Sequence, residues 1–138
     1  MKRYILPALI AMAFVSFDAS AQSPCSGNTR VNDLRTLLPG KTVCATRGTD
    51  RWQEEHRGSG LSGELWDYKM GPTDKIDPSK KVGTWSIGGP ANRLVTYTYG
   101  TTDVSRFEVH QVGGKYNFCG TGGANVLGAT IQTSPKCP

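Results

Sequence analysis

The sequence predicts an all-β domain. We expect a small antiparallel meander, closed as a barrel or packed as a sandwich, of about eight short strands with a short N-terminal helical turn and two disulfides. Three observations carry that expectation. Short runs rich in β-branched and aromatic residues alternate with polar ones at a period of two, each bounded by Gly or Pro. The runs follow one another at hairpin spacing with no helical pattern between them, so sequence neighbours should pair in the sheet. Finally, Cys25, Cys44, Cys119 and Cys137 lie two towards each end of the chain, as disulfide staples for a small core would.

The 138-residue chain opens as an export signal. Lys2 and Arg3 precede an apolar run, residues 5–17, and Ala19-Ser20-Ala21 fits a small-x-small cleavage site. Residues 1–21 are therefore expected to be removed, leaving residues 22–138 as one exported domain, periplasmic or secreted. The apolar run is too short for a membrane span, and no later stretch is long enough. Gln22-Ser23-Pro24 before Cys25 does not read as a lipid-anchor signal. Loss of Lys2, Arg3 and Asp18 lowers the net charge from +5 to +4. The remaining basic residues are scattered from Arg30 to Lys136, with Lys80-Lys81 the tightest pair, which argues against a nucleic-acid footprint.

In an oxidising compartment, four cysteines read as two disulfides with three possible connectivities. Their wide spacing excludes a CxxC redox motif or a zinc ribbon. We expect bridges that join the two ends of the chain across the fold, because terminal strands of small β domains often meet.

Taken in order, residues 33–38 form the one helical turn expected, with Asp33 as cap and Pro39-Gly40 as its end. Residues 41–47 make a short strand around Val43. Residues 52–57 alternate, with Trp52, Glu54 and His56 on one face and Gln53, Glu55 and Arg57 on the other. A turn over residues 58–63 leads to a strand at 64–70. There Glu64, Trp66, Tyr68 and Met70 are expected to face the same interior as Trp52. Residues 71–81 are a loop rich in Pro, Asp and Lys. Strands follow at 82–87, at 94–99 (Val95, Tyr97 and Tyr99 against Leu94, Thr96 and Thr98) and at 106–112 (Phe107 and Val109 opposite Glu108 and His110). Gly113-Gly114 is a hairpin turn into residues 115–119, and residues 126–133 make the last strand.

The stretch from Trp52 to Trp85 draws attention because it holds all three tryptophans and six of the eleven acidic residues. A face carrying Trp52, Glu54 and His56 cannot be a dry core unless its polar groups pair with one another. Either those groups satisfy a structural network, or they line a wet pocket with aromatic walls, the usual make-up of a small-molecule site. As a ligand face we expect Trp52, Glu54, His56, Trp66, Tyr68 and Trp85, with residues 71–81 as a rim. Catalysis would rest on Glu54 or Asp67 as base with His56 as partner. However, Gly-x-Ser-x-Gly is absent, and the cysteines are expected to be oxidised. His56 and His110 lack metal-ligand spacing, and Asp74 and Asp77 do not form a calcium-loop pattern. No metal or cofactor is expected.

Gly83-Thr84-Trp85 resembles the Gly-x-Trp of lipocalin- and avidin-like barrels, which implies a closed meander with a ligand inside. The likeness covers three residues. It falls after several strands rather than on the first, so it bears on architecture alone. The sequence thus points to a monomeric exported binding domain whose partner is a small molecule or an extracellular or periplasmic protein. The alternatives are a small hydrolase using Glu54, His56 and Asp67, or a structural envelope component that associates through an exposed strand edge.

Overall fold

A computed structural model describes residues 23–47, 50–67, 80–133 and 137–138. The expected signal segment, Tyr68, Met70 and most of the loop before Lys80 lie outside these residues. Eight strands follow one another: β1 (Thr42–Arg47), β2 (Asp50–Arg57), β3 (Ser62–Asp67), β4 (Lys80–Gly88), β5 (Leu94–Tyr99), β6 (Asp103–Val112), β7 (Lys115–Gly120) and β8 (Asn125–Gln132). Each pairs antiparallel with the next, and β1 also pairs with β8, so the meander is a closed barrel and not a sandwich. Closure leaves no free strand edge among the described residues, and an exposed edge is the feature through which a structural envelope component would associate.

Period-two alternation decides what fills the barrel. Val43, Ala45, Leu65, Trp85, Ile87, Val95, Tyr97, Phe107, Val109, Phe118 and Ala129 are buried together. An eight-stranded barrel is just wide enough for side chains to fill, and here aromatic rings do so. His56 lies 5.6 Å from Trp85 and 5.4 Å from Tyr97, and Tyr97 meets Phe107, which meets Phe118 edge-on. Outward positions such as Thr84, Ser86 and Arg106 are exposed and polar, the reverse of the apolar-out pattern of membrane barrels.

The two ends of the barrel differ. At one end the expected helical turn is a single turn of 3-10 helix, Leu34–Thr36, with the Asp33 carboxylate accepting from the Arg35 backbone N–H. Leu34 and Leu38 are fully buried and plug that end. Gly40 N–H donates to the carbonyl of His56, and His56 N–H donates to that of Lys41, which guides the chain into β1. Two further 3-10 turns, Gly27–Thr29 and Pro90–Asn92, were not expected from the sequence. The opposite end gathers the β1–β2, β3–β4, β5–β6 and β7–β8 connections and has no such plug among the described residues.

Both termini are strapped to the outside of the wall by bridges across the fold, as expected: Cys25–Cys119 and Cys44–Cys137. Two disulfides suggest an oxidising, extracellular-type environment. Beneath the N-terminal strap, His110 Nδ1 bonds the Ser26 carbonyl, and Asn117 Nδ2 donates to that of Pro24. Beneath the C-terminal one, Gln53 accepts from the Cys137 N–H. This is why Gln53, His110 and Asn117 face outward and are nonetheless buried.

One face assignment is corrected. On β3 it is Leu65 that is fully buried, whereas Glu64 is exposed and Trp66 lies on the outer wall. The Trp66 indole N–H donates to Glu64 at 3.0 Å, and the Arg57 guanidinium sits 3.8 Å from the indole centroid. Leu65 has no polar group to satisfy, while Trp66 finds both a hydrogen-bond partner and a cation outside. The aliphatic side chain therefore takes the interior.

Candidate ligand site at the open end of the barrel

Register places the polar groups of this end. In the β2–β3 pair His56 stands opposite Leu65, and Glu54 stands opposite Asp67. Directly opposed residues share a face, with Cβ atoms roughly 5 Å apart. Fixing Leu65 in the core therefore brings both carboxyls to the inside of the open end. There Arg51, Trp52, Glu54, Asp67 and Tyr99 line a cavity of about 180 Å³. Below it a gap of only about 20 Å³ runs between Trp52, Glu54 and the Tyr97–Phe118 core, so the recess stops at the aromatic layer. On the other side of Trp52 a second recess of about 210 Å³ has a mostly apolar wall that includes Val126 and Leu127.

Glu54 is 8% exposed. Its Oε1 accepts from the Tyr99 hydroxyl at 2.6 Å, which is its single hydrogen bond among the described residues. Burial pushes its carboxyl up to about 7; the Tyr99 bond opposes the shift and the negative charge of Asp67 adds to it. Burial, and then the charge of Glu54, push the Tyr99 phenol far above its ordinary value, so it stays a neutral donor. The site can thus offer a carboxyl poised between charged and neutral, a second carboxyl, a fixed hydroxyl and a half-buried indole.

His56 is elsewhere. It is fully buried in the plugged half, with Nε2 2.8 Å from the Tyr97 hydroxyl and Nδ1 3.2 Å from the Lys41 carbonyl. A neutral ring with its proton on Nδ1 satisfies both contacts, and burial pulls its pKa down to about 4. Trp85 is likewise core, its indole N–H donating to the Arg57 carbonyl at 3.1 Å. Of the expected ligand face, Trp52 and Glu54 meet at the open end, His56 and Trp85 belong to the interior, Trp66 is outside the wall, and Tyr68 lies outside the described residues.

Arg51 and Tyr99 were missed. Nothing local marks Tyr99, since only ring closure carries β5 across to Glu54. Asp67 is expected from the sequence as a polar-selectivity group or a base, but on the face opposite Trp66, because drawing the turn over residues 58–63 hid its register with Glu54. Leu65, the one aliphatic residue of β3, was the available signal. Among the described residues no cluster of His, Cys, Asp and Glu could hold a metal ion, and Asp74 and Asp77 lie outside them. No helix among the described residues is long and apolar enough to cross a membrane.

Compared with protein-family models, curated proteins and solved structures, the chain matches none of them. The barrel and its open end are what bear on function.

Proposed function

We propose that this is an exported binding domain that takes a small ligand in the open end of its barrel, with Trp52, Glu54, Asp67 and Tyr99 as the contact groups. The observation that carries the proposal is Glu54. A carboxyl more than nine-tenths buried, with one hydrogen bond and no ion pair among the described residues, is a liability for folding. A core position would hold an apolar residue at no loss to the barrel. A cavity directly over that carboxyl makes sense of it. The hydrolytic alternative is left with Glu54 and Asp67 alone, because His56 is sealed beneath the aromatic layer and bonded to Tyr97.

The test is a fragment screen read by backbone amide NMR shifts on the mature oxidised protein. Hits should cluster at the amides of Arg51 to Glu54, Asp67 and Tyr99, and Trp52→Ala should abolish them while leaving the remaining spectrum in place. Fragments that bind only elsewhere, or nowhere, would refute the proposal.

A further inference from the structure

We infer that the two recesses flanking Trp52 are halves of one site, parted by that indole, for a neutral amphipathic molecule: a hydroxyl head on Glu54 and a linear apolar tail over Val126 and Leu127. The inference rests on the reading of the open end as a ligand site and adds the chemical class and shape of the ligand.

Three observations carry it. Among the described residues, Trp52 is the one side chain that lines both the cavity at Glu54 and the recess at Leu127. The narrow gap beneath shares Glu54 and Tyr99 with the first space and Ala45 and Val126 with the second, so it runs from one to the other under the indole. Second, no polar or ring contact pins that indole. Trp66 and Trp85 donate their ring N–H groups to Glu64 and to the Arg57 carbonyl. Trp52, half-buried, makes no hydrogen bond and meets neither a ring nor a cation among the described residues. A tryptophan N–H that a fold buries permanently usually finds an acceptor. Third, the recess beyond Trp52 lies at the mouth, past the last β1–β8 pair, Cys44 with Thr130, and Leu127 stays exposed there.

Size favours one long ligand over two small ones. The cavity of about 180 Å³ and the recess of about 210 Å³ each fall below the ~300 Å³ of the smallest ordinary ligand pockets. Joined through the gap, they exceed it. The first alone is close to the engineered cavity of ~150 Å³ that holds benzene, so the joined site takes a molecule about twice as large.

Polarity sets the direction of the ligand. Glu54 uses only Oε1, towards Tyr99, which leaves Oε2 of this nearly buried carboxyl for a partner in the cavity it lines. Burial pushes the carboxyl up to about 7, so near neutrality it is present both charged and neutral. A hydroxyl donates to the first form and accepts from the second, whereas an ammonium or a carboxylate suits one form only. At the far end, Val126, Leu127 and Ala45 offer apolar surface that an alkyl chain would cover.

The experiment titrates straight-chain alcohols, from 1-pentanol to 1-decanol, into the mature oxidised protein and follows amide shifts and intermolecular NOEs by NMR. 1-Pentanol, with as many heavy atoms as benzene, should move the amides of Trp52, Glu54 and Tyr99. Each further methylene should tighten binding about fourfold, the worth of one buried CH₂, and bring in the amides of Ala45, Val126 and Leu127. With 1-octanol, the methylene beside the hydroxyl should show NOEs to Tyr99 and the terminal methyl to Leu127, and the Trp52 indole N–H signal should shift. Octylamine and octanoate, the same chain with charged heads, should bind more weakly. Affinity that stops rising once the first recess is full, or a terminal methyl that never reaches Leu127, would overturn the joined site. Either charged compound binding as tightly as 1-octanol would overturn the hydroxyl head. If no alcohol moves these amides while fragments of another class do, the inference falls and the ligand site stands. If neither moves them, both fall.

Discussion

Two buried titratable residues, Glu54 and His56, sit two positions apart on β2 and pull stability in opposite directions with pH. The carboxyl of Glu54 has its ordinary value, 4.5, in the unfolded chain and about 7 in the fold. Between those values the folded protein holds a proton that the unfolded chain has released, so stability falls as pH rises. His56 runs from 6.5 unfolded to about 4 folded. Between those values the unfolded chain holds the extra proton, so stability rises with pH. Over the shared window, 4.5 to 6.5, the two contributions cancel. Urea unfolding of the wild type should therefore be nearly flat there, as far as these groups set it. Glu54→Gln keeps an acceptor for Tyr99 and removes one of the two slopes. Its stability should rise with pH across the window by on the order of 1 kcal/mol per pH unit relative to wild type. Parallel profiles for the two proteins would mean that Glu54 is not held as described. Alternation along residues 52–57 showed these two side chains sharing a face. It could not show that one lies at an open end and the other beneath an aromatic layer.

At the scale of the element, the β2–β3 hairpin decides what the open end contains, and its geometry depends on Gly63. A Cβ there would lie 1.9 Å from the Arg57 carbonyl oxygen and 2.9 Å from the Trp85 indole nitrogen, the two atoms that bond each other across the hairpin. Gly63→Ala must push them apart, and we expect a loss of about 1–3 kcal/mol. Thermal unfolding measures it, with the near-UV signal of Trp85 reporting the local change. Gly122→Ala is the control, because nothing lies within 4 Å of a Cβ at that position. Equal stability of the two variants would show that the approach at Gly63 relaxes without cost. The existence of both strands was legible in the alternation and turn residues. Their register was not, because Gly58, Ser59, Gly60 and Ser62 permit several turn lengths, and a shift of one residue exchanges the faces of a strand. That exchange is what separated the expected inward Trp66 from the buried Leu65.

At the scale of the molecule, the barrel is hydrogen-bonded around its whole circumference, and the two bridges pin each terminus to the outer wall. They join residues 94 and 93 positions apart, so each restricts the unfolded chain strongly and should contribute about 2–5 kcal/mol. Replacing Cys25 and Cys119 together by Ala should lower the urea midpoint accordingly and speed amide exchange around His110 and Asn117, which the N-terminal strap covers. The open end, on the inner face of β2, β3 and β5, should keep its fragment binding. If that variant loses ligand binding while remaining folded, the strap and the open end are coupled in a way the contacts do not show.

What the sequence determined by itself is what depends on neighbours along the chain. Alternation and turn residues specify eight strands, their order makes a meander, and four cysteines in a chain of this size specify two staples. Hydrophobicity and turn chemistry are local, so they can be read one stretch at a time. Only the tertiary structure decided that the meander closes and that the bridges run Cys25–Cys119 and Cys44–Cys137. It also decided that Tyr99 stands over Glu54 with Asp67 beside it, and that His56 is core. Each of these is a meeting of residues from strands that are not adjacent in sequence or from a register not yet set. It follows from how side-chain volumes fill one closed ring, which no single stretch of the chain contains.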